Sequence, residues 1–140
     1  MNKYAFVLFC CASLFGCPAT GAPGSPQAHL RPSGQNYKDM MLAKCVSSAY
    51  EKEPGAANDA GASAAVMLEW IDLDLDASID PSNQLLKSWL QRDYQHPLAH
   101  QYKNIRFDLL KCIDMYHSKE LADQVKRYVS KPARHFRQKK

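Results

Sequence analysis

A compact all-α bundle of about five helices, closed by one disulfide, is the fold the sequence predicts. Three observations carry that prediction. Apolar residues recur at three- and four-residue spacing in five separate segments, which is the helical period. No segment alternates apolar and polar side chains as a half-buried strand does. Two cysteines, Cys45 and Cys112, fall on the apolar faces of two of the helical segments.

The first helix is expected over residues 35–52, where Tyr37, Met41, Cys45 and Ala49 share a face with Leu42, Val46 and Tyr50; Pro54 and Gly55 end it. The second is expected over residues 58–75, with Asn58 as N-cap and an apolar stripe of Ala60, Ala64, Met67, Leu68, Ile71 and Leu75. Its small residues would let another helix approach closely. The third is expected to start with Asp80 as N-cap and Pro81 at the first helical position, with Leu85, Leu86, Trp89 and Leu90 inward. A loop over residues 94–104 follows, carrying Pro97, three side-chain amides and two histidines. The fourth helix, over residues 105–117, groups Ile105, Leu109, Cys112, Ile113 and Tyr116. Ser118 caps a fifth helix with Leu121, Val125, Tyr128 and Val129 inward, and Pro132 stops it.

The chain has 140 residues, of which 46% are hydrophobic and 23% charged. That is the size of one domain with ordinary globular composition. Mean hydropathy is −0.44, which excludes a polytopic membrane protein. Residues 1–24 read as an export signal: Lys3 supplies the positive start, residues 4–15 the apolar stretch, and small residues follow. Two processing routes fit. Leu14-Phe15-Gly16-Cys17 resembles a lipobox, which would make Cys17 a lipidated N-terminus, although Phe15 and Pro18 depart from the pattern. Ordinary cleavage after Ala19, Gly21 or Gly24 is the other route. Both place the domain outside the cytoplasm, and membrane contact is expected only through such an anchor. Residues 25–34 read as a flexible linker, 35–130 as the folded domain and 131–140 as a basic tail.

Export gives the cysteines their meaning. Cys10, Cys11 and Cys17 belong to the signal, so Cys45 and Cys112 remain to pair in an oxidising compartment. Charge is divided along the chain. Residues 35–125 hold 14 acidic and 9 basic side chains, whereas residues 126–140 hold 7 basic and no acidic one. Nucleic-acid binding, a common use of such tails, does not suit an exported protein. A solvated end is the expectation, with anionic lipid or another acidic surface as the functional reading.

Asp72, Asp74, Asp76 and Asp80 form an acidic run. It fails as a calcium loop, because Ala77 stands where glycine is needed and Asn83 where a bidentate glutamate is needed. His96 and His100 are four apart, but Pro97 lies between them and no third ligand is near, so no metal is expected. No phosphate loop, nucleophile elbow or cysteine–histidine dyad is present, and no cofactor is implied. The absence of catalytic motifs points to a binding protein rather than an enzyme; a small hydrolase using aspartate and histidine is the weaker reading.

Three blocks resemble a known family. They are Asn36-Tyr37-Lys38-Asp39-Met40, then Asn58-Asp59-Ala60-Gly61-Ala62-Ser63, and the long run from Phe107-Asp108-Leu109-Leu110-Lys111-Cys112-Ile113-Asp114-Met115-Tyr116-His117-Ser118 to Lys119-Glu120-Leu121, with Val125-Lys126 after it. They resemble the fourth family of type VI secretion amidase immunity proteins, which counters a papain-like peptidoglycan amidase. The resemblance spans about residues 35–129; the lipobox-like Cys17 and the basic tail depart from it. It implies a periplasmic, all-helical homodimer that binds the amidase and blocks its active-site cleft without catalysis. The residues expected to meet the effector are Asp72, Asp74, Asp76 and Asp80, together with Gln95, His96, His100 and Tyr102 of the loop. The competing reading is an anchored helical lipoprotein docking on a cell-wall or secretion component.

Overall fold

The computed structural model describes residues 24, 26–95, 101, 102 and 104–136. Cys17 and the rest of the expected signal up to residue 23 lie outside the described residues, as do His96 and His100. Five helices make the domain: α1 (Ser33–Ala49), α2 (Pro54–Met67), α3 (Leu75–Leu90), α4 (Asp108–His117) and α5 (Lys119–Tyr128). Short 3-10 turns occupy Gln27–Leu30 and Leu68–Trp70. Among the described residues the β pairing is one isolated antiparallel bridge, Leu73 to Val129.

Helix α1 is the axis on which the others pack. Tyr37, Met41 and Cys45 are fully buried on its inner face and meet Leu86, Trp89, Cys112, Met115 and Leu121 from α3, α4 and α5. The disulfide forms as expected: Cys45 and Cys112 are bonded, with Cα atoms 5.6 Å apart. Nearly two turns toward the start of α1, the Tyr116 hydroxyl donates to Asp39 at 3.0 Å. These two contacts set α4 antiparallel to α1. The Tyr37 hydroxyl ties three helices, bonding Ser82 Oγ at 2.9 Å and donating to Gln124 Oε1 at 2.9 Å. Burial pushes its pKa up, partly opposed by the Ser82 bond. Gln124 in turn donates to the Pro81 carbonyl at 2.9 Å. On the other side of α1, α2 packs closely: a Cβ on Gly61 would sit 3.2 Å from Ser47 Oγ. The small residues of α2 thus serve contact within one subunit at Gly61 and at the buried Ala64.

Several boundaries differ from the sequence expectation. Helix α2 begins at Pro54, in the first-turn position proline favours, rather than at Asn58. It stops at Met67, and Leu75 belongs to the next helix. Helix α3 starts well before Asp80 because Asp74 is the N-cap, its carboxylate accepting from the Ala77 amide at 3.2 Å. Asp80 and Pro81 therefore lie inside the helix. Helix α4 begins at Asp108, since Phe107 is left-handed (φ 55°) and cannot continue a helix back to Ile105. Ser118 caps α5 as expected, accepting from the Leu121 amide at 3.1 Å.

The largest revision concerns the two chain ends. The segment expected as a linker carries a 3-10 turn with Ala28 buried, and Ser33 and Gly34 are already the buried first residues of α1. The described part of the segment expected as a solvated tail, residues 131–136, folds back onto them. Helix α1 has no side-chain cap. Instead the Ser33 amide donates to the Arg134 carbonyl at 2.7 Å and the Gly34 amide to the Pro132 carbonyl at 2.8 Å. Two of the amides that a helix start leaves without a partner are thus met by the opposite end of the chain.

Candidate functional site

The acidic run divides into two parts. Asp72 is built into the seam between the chain ends. Its amide donates to Ser33 Oγ at 2.9 Å, its carbonyl accepts from the Ser130 amide at 2.9 Å, and one carboxylate oxygen pairs with Arg134 at 2.8 Å. The other carboxylate oxygen is buried without a partner. Asp72 is therefore committed to the fold. Asp74, Asp76 and Asp80 are exposed at the start of α3. Asp76 and Asp80 stand one turn apart on the same helix face. In the first turn of α3 the charge of Asp76 also suits the positive end of the dipole.

The 94–104 loop leaves α3 and re-enters at α4, and side chains pin both its ends. At the start, the Tyr94 hydroxyl donates to Asp114 Oδ2 at 2.6 Å. Burial and the Asp114 carboxylate push the Tyr94 pKa up to about 12. At the far end, Lys111 is only 3% exposed. Its ammonium donates to Asp108 at 2.9 Å and to the Leu90 carbonyl at 3.2 Å. One buried cation thus holds the last turn of α3 against the first turn of α4, and its charge is matched as burial requires. Asn104 (φ 67°) and Phe107 (φ 55°) are left-handed, which for phenylalanine costs about 1–2 kcal/mol. Gln95 is exposed and donates to Asp93 at 2.6 Å. Tyr102 is exposed and meets Phe107 edge to face, ring centroids 6.3 Å apart.

The sequence expectation misplaced the side chains that follow. Ile105 is 58%, Leu109 47% and Ile113 40% exposed, and Leu110 joins them. The inner face of α4 is instead Lys111, Cys112 and Met115. Lys111, Cys112 and Met115 turn inward together, which leaves Leu109, Leu110 and Ile113 on the outer side of α4. Leu109, Leu110 and Ile113 thus make an exposed apolar ridge along α4, and Tyr102 and Ile105 stand exposed in the chain that leads into it. A second apolar surface surrounds a groove of about 240 Å³ between α2 and α3, lined by Ala64, Ala65, Leu68, Leu75 and Ile79 among others. The described residues hold no cluster of histidine, cysteine and acidic groups fit for a metal. No described helix is long and apolar enough to cross a membrane.

Comparison with known proteins identifies the domain. The sequence profile of the Tai4 family, described as type VI secretion system (T6SS) amidase immunity protein, matches residues 35–125. The chain belongs to that family. It is an immunity protein against a type VI secretion amidase effector and not an enzyme. Two solved structures share the fold. One comes from work on new type VI-secreted toxins and self-resistance proteins in Serratia marcescens; it has a TM-score of 0.75 and 20% identity, covering 85% of this chain and 94% of that one. The other belongs to the effector–immunity system Tae4/Tai4 from Salmonella typhimurium, with a TM-score of 0.63, 23% identity and coverage of 74% and 96%. No curated protein sequence matches significantly. The family's matched region ends at residue 125, before the returning tail that closes the start of α1.

Proposed function

We propose that this immunity protein is exported to the periplasm, binds a papain-like peptidoglycan amidase delivered by type VI secretion, and inserts its 94–104 loop and the ridge of α4 into the catalytic cleft. The observation that carries the reading is the ridge itself. Five large apolar side chains stand exposed beside a loop whose two ends are pinned by buried or part-buried polar contacts. Apolar side chains grouped on a rigid scaffold mark a binding surface. Holding the loop in one shape in advance lowers the entropy cost of filling a cleft. Gln95, His96, His100 and Tyr102 then supply polar and aromatic contacts. Asp74, Asp76 and Asp80 steer a basic partner and raise its association rate. The apolar groove between α2 and α3 is the contact for a homodimer.

The test is inhibition of the cognate amidase in a peptidoglycan cleavage assay. Leu109→Asp with Ile113→Asp should still fold, since both side chains lie on the exposed face of α4 and outside the buried core. Each replaced anchor should cost binding about 2 kcal/mol or more, the range of an interface hot spot, so inhibition should fall by orders of magnitude. Full inhibition by this variant would remove the ridge from the interface. Alanine at Asp74, Asp76 and Asp80 together should slow association and flatten its salt dependence without comparable loss of final affinity.

A further inference from the structure

We infer that Arg92 is a specificity-determining residue of the effector interface, its guanidinium held ready to pair with a carboxylate on the rim of the amidase's cleft. The inference rests on the reading that the loop and the ridge of α4 meet the effector.

The side chain is fixed before any partner arrives. Arg92 stands two residues after the end of α3, and its amide donates to the Trp89 carbonyl at 3.2 Å. Its guanidinium carbon lies 3.2 Å from the centre of the Trp89 ring. At that distance no N–H group can stand between the two, so the guanidinium lies along the ring face and its donors fan out sideways. Trp89 is itself buried in the core, which makes the platform rigid. Little rotamer freedom is then left to lose on binding.

Those donors have no hydrogen-bonded acid. Among the described residues Arg92 has one ion pair, with Glu120 of α5 at 4.0 Å, beyond hydrogen-bond reach, and both side chains are partly exposed. The other described acids at this end are engaged. Asp108 pairs with Lys111 at 2.9 Å and with Arg106 at 3.3 Å, Asp114 accepts from Tyr94 and Asp93 accepts from Gln95. Lys111 and Arg106 therefore share one carboxylate, whereas Arg92 keeps its fork of donors for an acid from outside.

Its place is beside the ridge. Tyr94, two residues further on, bonds Asp114 at 2.6 Å, and Asp114 stands one turn after Leu110 on α4. The charge of Arg92 is near enough to Tyr94 to oppose part of the rise in its pKa. Arginine beside apolar contacts is a frequent hot spot, and its planar fork matches both oxygens of a carboxylate. The aspartates at the start of α3 attract a basic surface. Arg92, past the far end of the same helix of 16 residues, selects an acid about 24 Å from them. Opposite charges at that separation fix which way round the effector docks.

The test is binding and inhibition of the cognate amidase, with Glu120 as the control. Arg92→Met still covers Trp89 but has no donors. It should unfold at the same urea concentration as the parent and bind about thirtyfold more weakly, the loss of one hot spot. Arg92→Lys should recover little, because an ammonium does not present a planar fork. Glu120→Gln should bind at least as tightly as the parent, since it removes an acid that competes for the guanidinium. Parent-like binding by Arg92→Met or Arg92→Lys would overturn the inference. So would equal losses in Arg92→Met and Glu120→Gln, which would make the two a pair internal to the fold. Failure of the underlying reading looks different: the Leu109→Asp, Ile113→Asp variant would then inhibit fully, whatever the Arg92 variants do.

Discussion

The two ends of α1 solve the same local problem in opposite ways. At its first turn the helix lacks a side-chain cap, and carbonyls of Pro132 and Arg134 close it from the far end of the chain. Backbone is satisfied, apolar groups are covered, and Gly34 permits the close approach. A Cβ there would lie 2.9 Å from Val125 Cγ1 and 3.2 Å from the Pro132 carbonyl oxygen. At its last turn the neighbouring loop is also pinned, by Tyr94 and Lys111, yet the side chains it presents are left in water. One end spends its contacts on closing the fold. The other pins the residues that flank the loop while leaving apolar surface uncovered, which is what a preformed binding surface requires.

The disulfide gives the largest handle on this contrast, because it joins α4, and so the ridge, to α1. It closes a segment of 67 residues. Replacing Cys45 and Cys112 by alanine should lower stability by about 4 kcal/mol on the loop-entropy account, read from urea unfolding. Hydrogen exchange should then accelerate more in residues 108–113 than in residues 33–37, which the tail still closes. Equal acceleration would mean that the two ends unfold as one unit.

Gly34→Ala probes the closed end. Alanine favours a helix by about 1 kcal/mol over glycine. The added methyl, however, meets the backbone oxygen that accepts the Gly34 amide, and overpacking of this kind costs about 1–3 kcal/mol. Net destabilisation is expected, with faster exchange at the Ser33 and Gly34 amides and unchanged inhibition of the amidase. A stabilised variant would show that the tail yields and that the closure is weak.

Much of the fold was legible because its signals are local. Ser118 as cap and Leu121 and Tyr128 as inner face of α5 follow from adjacent residues, and the pairing of Cys45 with Cys112 follows from their places on two apolar helix faces. The closure of α1 was not legible: its partners lie about 100 positions apart, and nothing near Ser33 announces a carbonyl from Arg134. The effector-binding surface was half legible. The loop stood out by composition, but periodicity assigned Ile105, Leu109 and Ile113 to the core. An apolar stripe has the same spacing whether it faces the interior or a partner. A signal was present all the same. Leu109, Leu110, Cys112, Ile113, Met115 and Tyr116 make α4 apolar on more than one face, and a ten-residue helix at a bundle's edge has no interior for them all.

The smallest effect expected is at the start of the loop, and it sharpens the claim that this end is rigid as well as exposed. Tyr94 has its pKa pushed up from 10.0 to about 12 by burial and by Asp114. A raised folded-state value means that the stabilising contribution is complete below pH 10 and is lost as pH rises through about 12. Tyr37 and Tyr116 are also raised, so the domain as a whole weakens in the same direction. The loop should respond first, because Tyr94 pins it by a single hydrogen bond to Asp114. Tyr94→Phe should cost about 1 kcal/mol at neutral pH and leave the loop open to proteases there. The parent should become comparably susceptible only as Tyr94 ionises. Limited proteolysis of residues 95–107 across that pH range reads the difference. Equal cleavage of parent and variant at neutral pH would show that Lys111 and Asp108, not Tyr94, hold the loop in shape.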